Sequence, residues 1–364
     1  MINDGGLELL LKDVPVETEN RIADGEDIVR RLGGLALAID QAAAYISYSK
    51  ITLTNFKERY EKKKAEVLRY IPEDLWEYEK IKDGSDQPEP LSAFTTWEIL
   101  FEQIERNDTD RKAYILQFLG VAAFFEPSHI GGYLYQAHLE EEGEPYSWLN
   151  IFGAVEDDSD SAPDSDTDSP PLANVCKQSR WSKAQFWSVI ERLHRLSVIQ
   201  SIERKPTEWF SVHPVISDWL QMREKRIERQ KALKEAIKLL SRVIYSRFAE
   251  AAEPSTRQQI LAHLDSCRIG SRHVRQGVGL GRKKMRTETT AFSRFYNREG
   301  KYDRAVELFE MIWREDKVEL EVTDASRLTS TADLASSFWN QGRWKEAEEL
   351  EVQVMEARAR VLGA

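Results

Sequence analysis

The strongest constraint on this chain is a pattern that repeats near its C-terminus. Tyr296, Gly300, Tyr302, Ala305 and Leu308 recur 42 residues later as Phe338, Gly342, Trp344, Ala347 and Leu350. Residue types and spacing recur together, and a fixed period of this size specifies stacked helix–turn–helix units. In each copy the glycine marks the turn. The aromatic two residues on is expected to pack back on the first helix, and the alanine lets the second helix approach closely. Two clear copies are fewer than the ~3 that such an array usually needs to bury its faces.

Helices are expected elsewhere too. The 364 residues include only 18 Gly and 12 Pro, beside 10 Trp, 12 Tyr and 14 Phe. Sparse turn residues favour long helices over a many-turned β sandwich. The length implies two or three domains at about 150 residues each. With 41% hydrophobic and 31% charged residues, there is too much apolar material for a disordered chain. The longest nearly apolar stretch, Ile115 to Phe125, contains Gln117 and is shorter than the ~20 residues a bilayer requires. Met1-Ile2-Asn3-Asp4 lacks a basic region followed by an apolar one, so nothing suggests secretion. Cys176 and Cys267 cannot form a disulfide framework and fit a reducing compartment. A net charge of −11 argues against nucleic acid as the default partner.

Along the chain, Glu17 to Leu32 reads as a helix stopped by Gly33-Gly34, because glycine reaches the left-handed conformation without strain. A second helix carries Leu37, Ile39, Ala43 and Ile46, and a third runs from Thr54 to Arg69 with Phe56, Tyr60 and Val67 inside. The stretch 72–90 turns polar and acidic and reads as a connector. Trp97, Leu100, Phe101 and Ile104 then lie on one face of an amphipathic helix, followed by a more apolar helix from Ala113 to Phe125. After a short helix near Tyr133 to Leu139 the sequence degenerates. Seven acids and no base lie between Glu156 and Asp168, which reads as a disordered insertion.

Order is expected again at Trp181. Ser182 and Gln185 make a capping box, with Trp181 and Phe186 at the positions of a hydrophobic staple. Two strands, Val198 to Ile202 and Trp209 to Val212, flank Lys205-Pro206-Thr207. His213-Pro214 opens the next helix, and no Gly or Pro interrupts Val215 to Glu253. Helices followed by a β-hairpin are the order of a winged-helix unit. The expected fold class is therefore mainly α, with a helical N-terminal region, a winged-helix domain with a small β-hairpin, and an α-solenoid of repeats.

Catalytic motifs are missing. There is no GxxxxGK[ST] loop, HExxH, Cys-x-x-Cys or GxSxG. Asp164, Asp166 and Asp168 mimic the start of a calcium loop, but Ser169 stands where Gly is required and Val175 where Glu is required. No catalytic or metal-binding residue is expected. Arg268 to Arg286 holds seven bases and no acid, ending in Arg282-Lys283-Lys284-Met285-Arg286. It reads either as an exposed loop or as a nuclear-import or nucleic-acid segment. His213, at a strand end and a helix N-terminus, is either an anion ligand or a capping histidine.

Three segments together resemble one family. Leu32-Gly33-Gly34-Leu35-Ala36-Leu37-Ala38-Ile39-Asp40-Gln41-Ala42 is similar to the "GLPLA" motif of NB-ARC proteins, the nucleotide switches of plant resistance proteins and apoptotic activators. Phe210-Ser211-Val212-His213-Pro214-Val215-Ile216-Ser217-Asp218-Trp219 resembles the end of their winged helix, where a Met-His-Asp motif sits. The 42-residue copies, with Asn340-Gln341-Gly342-Arg343-Trp344-Lys345-Glu346-Ala347-Glu348-Glu349-Leu350, are similar to tetratricopeptide repeats of the kinesin-light-chain type. The order is that of fungal NOD-like receptors. Ala36 replaces the family's Pro, and Pro214 replaces the Asp of Met-His-Asp.

The resemblance implies a switch held closed by ADP and opened by exchange for ATP. It places Gly34, Leu35, Ala36 and Leu37 beside adenine and His213 at the β-phosphate. The family's nucleotide-binding core, with its phosphate loop and Mg²⁺-binding acids, is not found after Met1. The expectation is an N-terminally truncated member with no cofactor on this chain, ADP or ATP belonging to the complete architecture. The implied layout is an NB-ARC helical tail at 1–70, a connector at 71–91, and a winged helix at 92–225 with an acidic insertion at 142–180. Linking helices and a basic loop follow at 226–287, and the repeats at 288–364. The implied role is non-catalytic regulation or signalling, with a protein or peptide bound on the repeats. A pure scaffold with no nucleotide role is the alternative. A homo-oligomer is a further implied partner, whereas membrane and nucleic acid are not expected. The implied location is the cytoplasm, or the nucleus if 282–286 directs import.

Overall fold

The computed structural model describes residues 4–12, 21–69, 95–102, 109–139, 146–153, 181–205, 208–223, 225–273, 280 and 283–363. The connector 71–91, residues 154–180 of the acidic insertion, and 274–279, 281 and 282 of the basic run lie outside them. The chain is mainly α, with one two-stranded antiparallel sheet among the described residues. It divides into two compact units, 1–123 with 127–225, and 124–126 with 226–364.

The first unit opens with α1 (Asp4–Leu11), which the sequence reading did not anticipate, and α2 (Arg21–Arg31). Gly33 and Gly34 end α2 at φ 67° and 71°, and the Gly34 N–H donates to the Val29 carbonyl at 3.0 Å. Only glycine takes two such residues in succession cheaply, so the chain reverses here. α3 (Ala36–Ser49) buries Ala38, Ile39, Ala42 and Ile46, and α4 (Leu53–Arg69) buries Phe56 and Tyr60. Small residues on α3 let α1 pack closely against it.

Helical residues 95–102 follow, burying Trp97, Leu100 and Phe101. Next come α5 (Thr109–Ala122), α6 (Tyr133–Leu139) and α7 (Lys183–Arg195). The hairpin is β1 (Ile199–Glu203) paired with β2 (Trp209–Val212), with a register shift between Ile199 and Ser201. α8 (Pro214–Arg223) closes the unit. Phe118 of α5, Tyr135 of α6, Phe152, Phe186 of α7 and Phe210 of β2 form one aromatic core, with ring centroids 5.2–6.2 Å apart.

The sequence reading is corrected at three places in this unit. Residues 146–153, read as part of a disordered insertion from 142, include a 3-10 turn, Ser147–Phe152, that buries Trp148, Leu149, Ile151 and Phe152. Their aromatic and aliphatic side chains, not the acids that follow, decide their placement. Gly153 pairs with Trp181 in an isolated bridge, so the two ends of the remaining insertion meet. The hairpin also has a third partner. Ile130 exchanges both backbone hydrogen bonds with Phe210, at 2.9 and 3.0 Å. Finally, the capping box is one-sided. Ser182 Oγ accepts from the Gln185 N–H at 3.3 Å, but the Ser182 N–H goes to the Phe152 carbonyl at 2.8 Å. The staple does form, with Trp181 and Phe186 ring centroids 5.2 Å apart.

The second unit contains α9 (Arg226–Tyr245), the short α10 (Arg247–Ala251) and α11 (Pro254–His273). These precede α12 (Arg286–Arg298), α13 (Tyr302–Glu319), α14 (Ala325–Asn340) and α15 (Trp344–Leu362). Neighbouring helices of the last four pack in chain order. α9 packs against both α11 and α12, and it buries Leu233, Ala236, Ile237, Leu240 and Val243. The pair α9 and α11 thus gives the two repeats the additional helical layer that their number alone does not provide.

Candidate functional site

Two groups of residues require placing: the nucleotide-type residues of the first unit and the repeat residues of the second. Gly34 and Ala36 are exposed, while Leu35 and Leu37 are half-buried at the start of α3. Leu35 is the N-cap of α3, in extended conformation and with no side-chain cap. His213 occupies the corresponding position before α8. Its Nδ1 accepts from the Val215 N–H at 3.2 Å, and its carbonyl accepts from Ile216 and Ser217 at 2.8 and 3.1 Å. Accepting through Nδ1 requires the neutral ring with its proton on Nε2. Burial also pushes the His213 pKa below its ordinary value by disfavouring the charged form. Of the two readings of His213, the observed geometry is that of a capping histidine. No hydrogen bond joins His213 to residues 34–37 among the described residues.

Sequence reasoning missed the residue that connects the two helices. Gln41 is fully buried. Its Oε1 accepts from Trp97 Nε1, and its Nε2 donates to the Ser197 carbonyl at 3.1 Å. Trp97 lies 5.2 Å from Trp219 of α8, ring to ring. The helix begun by Leu35–Leu37 and the helix begun by His213 are therefore linked through one tryptophan. A polar residue among Ala38, Ile39 and Ala42 on an otherwise apolar face was the available signal.

In the second unit the two repeat turns are copies of each other. Gly300 and Gly342 have φ 72° and 81°. The next N–H in each case reaches back five residues, Lys301 to Tyr296 at 2.8 Å and Arg343 to Phe338 at 2.9 Å. Tyr296, Ala305, Leu308, Phe338, Ala347 and Leu350 are all buried. The aromatic after the turn departs from expectation. Tyr302 is half-buried and Trp344 is 65% exposed. At the first position of a helix the side chain extends back over the turn.

Ion pairs tie this unit together. Asp265 of α11 accepts from the Tyr296 hydroxyl at 2.8 Å and from Arg304, while Arg268 donates to Glu307 at 3.0 Å. Burial raises the Tyr296 pKa, and the Asp265 charge adds to the shift. Asp316 of α13, buried, holds Arg286 with both carboxylate oxygens and accepts from the Ser330 hydroxyl at 2.5 Å. Arg268 and Arg286 of the basic run are thus built into the helical body, and Lys284 is exposed.

Between α12 and α14 lies a groove of about 350 Å³, lined by Phe309 and Ile312 of α13 and by Tyr245 of α9. Its walls carry Arg286, Thr290 and Arg294 on one side and Ser326, Thr329 and Asp333 on the other. A lining of apolar and polar side chains suits an extended peptide better than a compact apolar molecule. Among the described residues no group of three or more His, Cys, Asp or Glu could hold a metal ion, and no helix is long and apolar enough to cross a membrane.

Two comparisons with known proteins give matches. Residues 327–364 match the tetratricopeptide-repeat family. Over 116 residues the chain is 30% identical to a nucleotide-binding leucine-rich repeat (NLR)-like protein of Hyaloscypha variabilis. That alignment covers 32% of this chain and 12% of the relative, so the chain spans a small part of the relative's length. No solved structure matches. The matches bear out the resemblance to NLR-type proteins with tetratricopeptide repeats.

Proposed function

We propose that this chain is a non-catalytic regulatory protein that recognises a partner protein in the groove between α12 and α14. The observation carrying this reading is the groove itself, built by two hairpins with the same glycine turn and lined by polar and apolar side chains. In the same reading residues 1–70 and 92–225 are the helical tail and winged helix of an NB-ARC switch. Gly34, Leu35, Ala36, Leu37 and His213 are then this chain's share of an ADP or ATP site, the rest belonging to the complete architecture. The helix–hairpin order, with Ile130 bridged to β2, supports the winged-helix assignment. The proposed location is the cytoplasm.

A second reading, a scaffold with no nucleotide role, is favoured by one observation. His213 Nδ1 already accepts the Val215 N–H. Calorimetric titration of ADP into the full chain separates the two. Micromolar binding that disappears in His213→Ala supports the switch, and no binding at millimolar ADP leaves the scaffold. The groove is tested by Thr290→Trp, which fills it from the α12 wall. Binding of a partner identified with the unaltered chain should be lost at an unchanged melting temperature. Retained binding would place the partner elsewhere.

A further inference from the structure

We propose that the outward face of α15 pairs with the same face of a second copy of this chain, the two helices running antiparallel. This surface lies apart from the groove, since none of its residues lines it. Towards the body of its unit α15 buries Ala347, Leu350, Val354 and Ala357. Outward, Trp344 and Met355 are 65% and 64% exposed and Val352 40%. Together with Glu348 and Ala359 they form one stripe at helical spacing.

The stripe does not continue the seam of the repeats. Val306, Phe309 and Asp316 of α13 are buried, whereas the residues 42 later, Glu348, Glu351 and Arg358, are exposed. A helix seated on α15 as α14 is seated on α13 would have to bury two glutamates and an arginine. The apolar Val352 and Met355 stand instead where α13 has Glu310 and Trp313.

The charges flanking the stripe select the occupant and its direction. At about 100° per residue, Glu351 and Arg358 lie on one flank, and Glu349 and Arg360 on the other. An antiparallel two-fold pair sets each flank against the same flank of the copy. A single register then places Glu351 level with Arg358 of the copy and Glu349 level with its Arg360, because both pairs are centred midway between residues 354 and 355. In that register Met355 lies beside the two-fold axis, and Val352 falls between Met355 and Ala359 of the copy. Glu356 stands level with the neutral Gln353, and Glu348 lies towards the end of the shared stretch. A parallel pair would set glutamate on glutamate and arginine on arginine. Glu349, Glu351 and Arg358 make no ion pair within the chain among the described residues, and Arg360 reaches Glu356 only at 3.9 Å. These charges are therefore available to a partner at little cost. One helix face buries less than a standard interface of about 1,600 Å², so the dimer is weak, with a Kd on the order of 50 μM.

The test is sedimentation velocity of the full chain between about 1 μM and about 200 μM. The parent should pass from monomer to dimer over this range. Glu351→Arg and Arg358→Glu should each remain monomeric, because either change sets like charges level at two places. An equimolar mixture of these two variants should regain the dimer, since each supplies the charge that the other lacks. Met355→Glu, beside the axis, should abolish association. All three substitutions are at exposed positions, and circular dichroism of each variant checks that its helices are intact. A parent that stays monomeric, a dimer indifferent to either charge reversal, or a mixture that fails to associate would each overturn the inference.

Discussion

His213 illustrates how a single side chain serves its own backbone first. The first N–H groups of α8 need acceptors, and His213 supplies both its carbonyl and its Nδ1. That service depends on the neutral ring. Burial holds its pKa below the ordinary value of about 6.5, so as pH falls the unfolded chain takes up this proton before the folded one. The stabilisation is complete above about pH 6.5 and is lost as pH falls through the lowered folded value. His213→Asn should keep a cap and lose the pH dependence, whereas His213→Ala should cost about 1 kcal/mol at neutral pH. Urea unfolding of all three proteins between about pH 8 and about pH 5 measures this. Parallel pH curves for the histidine and asparagine forms would disprove it.

At the scale of elements, the two repeat hairpins owe their geometry to one residue each. A Cβ on Gly342 would meet nothing within 4 Å, so its role is conformational and not steric. Gly342→Ala should cost about 1 kcal/mol through its positive φ alone. Gly342→Asn should recover part of that loss, since asparagine tolerates the left-handed region. Thermal unfolding of the three proteins should rank them Gly, Asn, Ala, and an alanine form as stable as the parent would refute the account. The glycines, alanines and aromatics of these hairpins were readable because their period is local and repeated. The exposure of Trp344 was not, because exposure is set by packing between helices and not by the repeat spacing. The same contrast appears at the insertion. Its acids dominate the composition, yet Trp148 and Phe152 just before them are drawn into an aromatic core made by distant segments.

At the scale of the whole molecule, three residues cross a boundary that the sequence does not mark. Phe124–Glu126 follow α5 directly but belong to the second unit. The Phe124 carbonyl accepts from Cys267 Sγ at 3.4 Å, and the Glu126 N–H donates to His263 Nδ1 at 3.1 Å. A Cβ at Gly270 would stand 3.1 Å from the Phe124 ring, which explains a glycine within α11. Phe124→Ala should therefore lower the stability of the second unit by about 3 kcal/mol and leave the aromatic core of the first intact. Hydrogen exchange resolved by peptide should show faster exchange in α9 and α11 with α7 unchanged. Equal loss of protection in α7 would contradict the division.

By itself the sequence determined the mainly helical class, the two glycine turns, the staple at Trp181 and Phe186, the hairpin and the resemblance to NLR-type proteins. Each rests on residues close together in the chain or on a repeated spacing. Tertiary structure alone decided the rest: Gln41 bridging Trp97 and Ser197, Ile130 pairing with β2, and α9 and α11 backing the repeats. It also decided the layering of Asp316 beneath Arg286. All of these join residues far apart in sequence or turn on which side chain is buried under which. No local pattern records such pairings, because burial is a property of the packed unit and not of the segment.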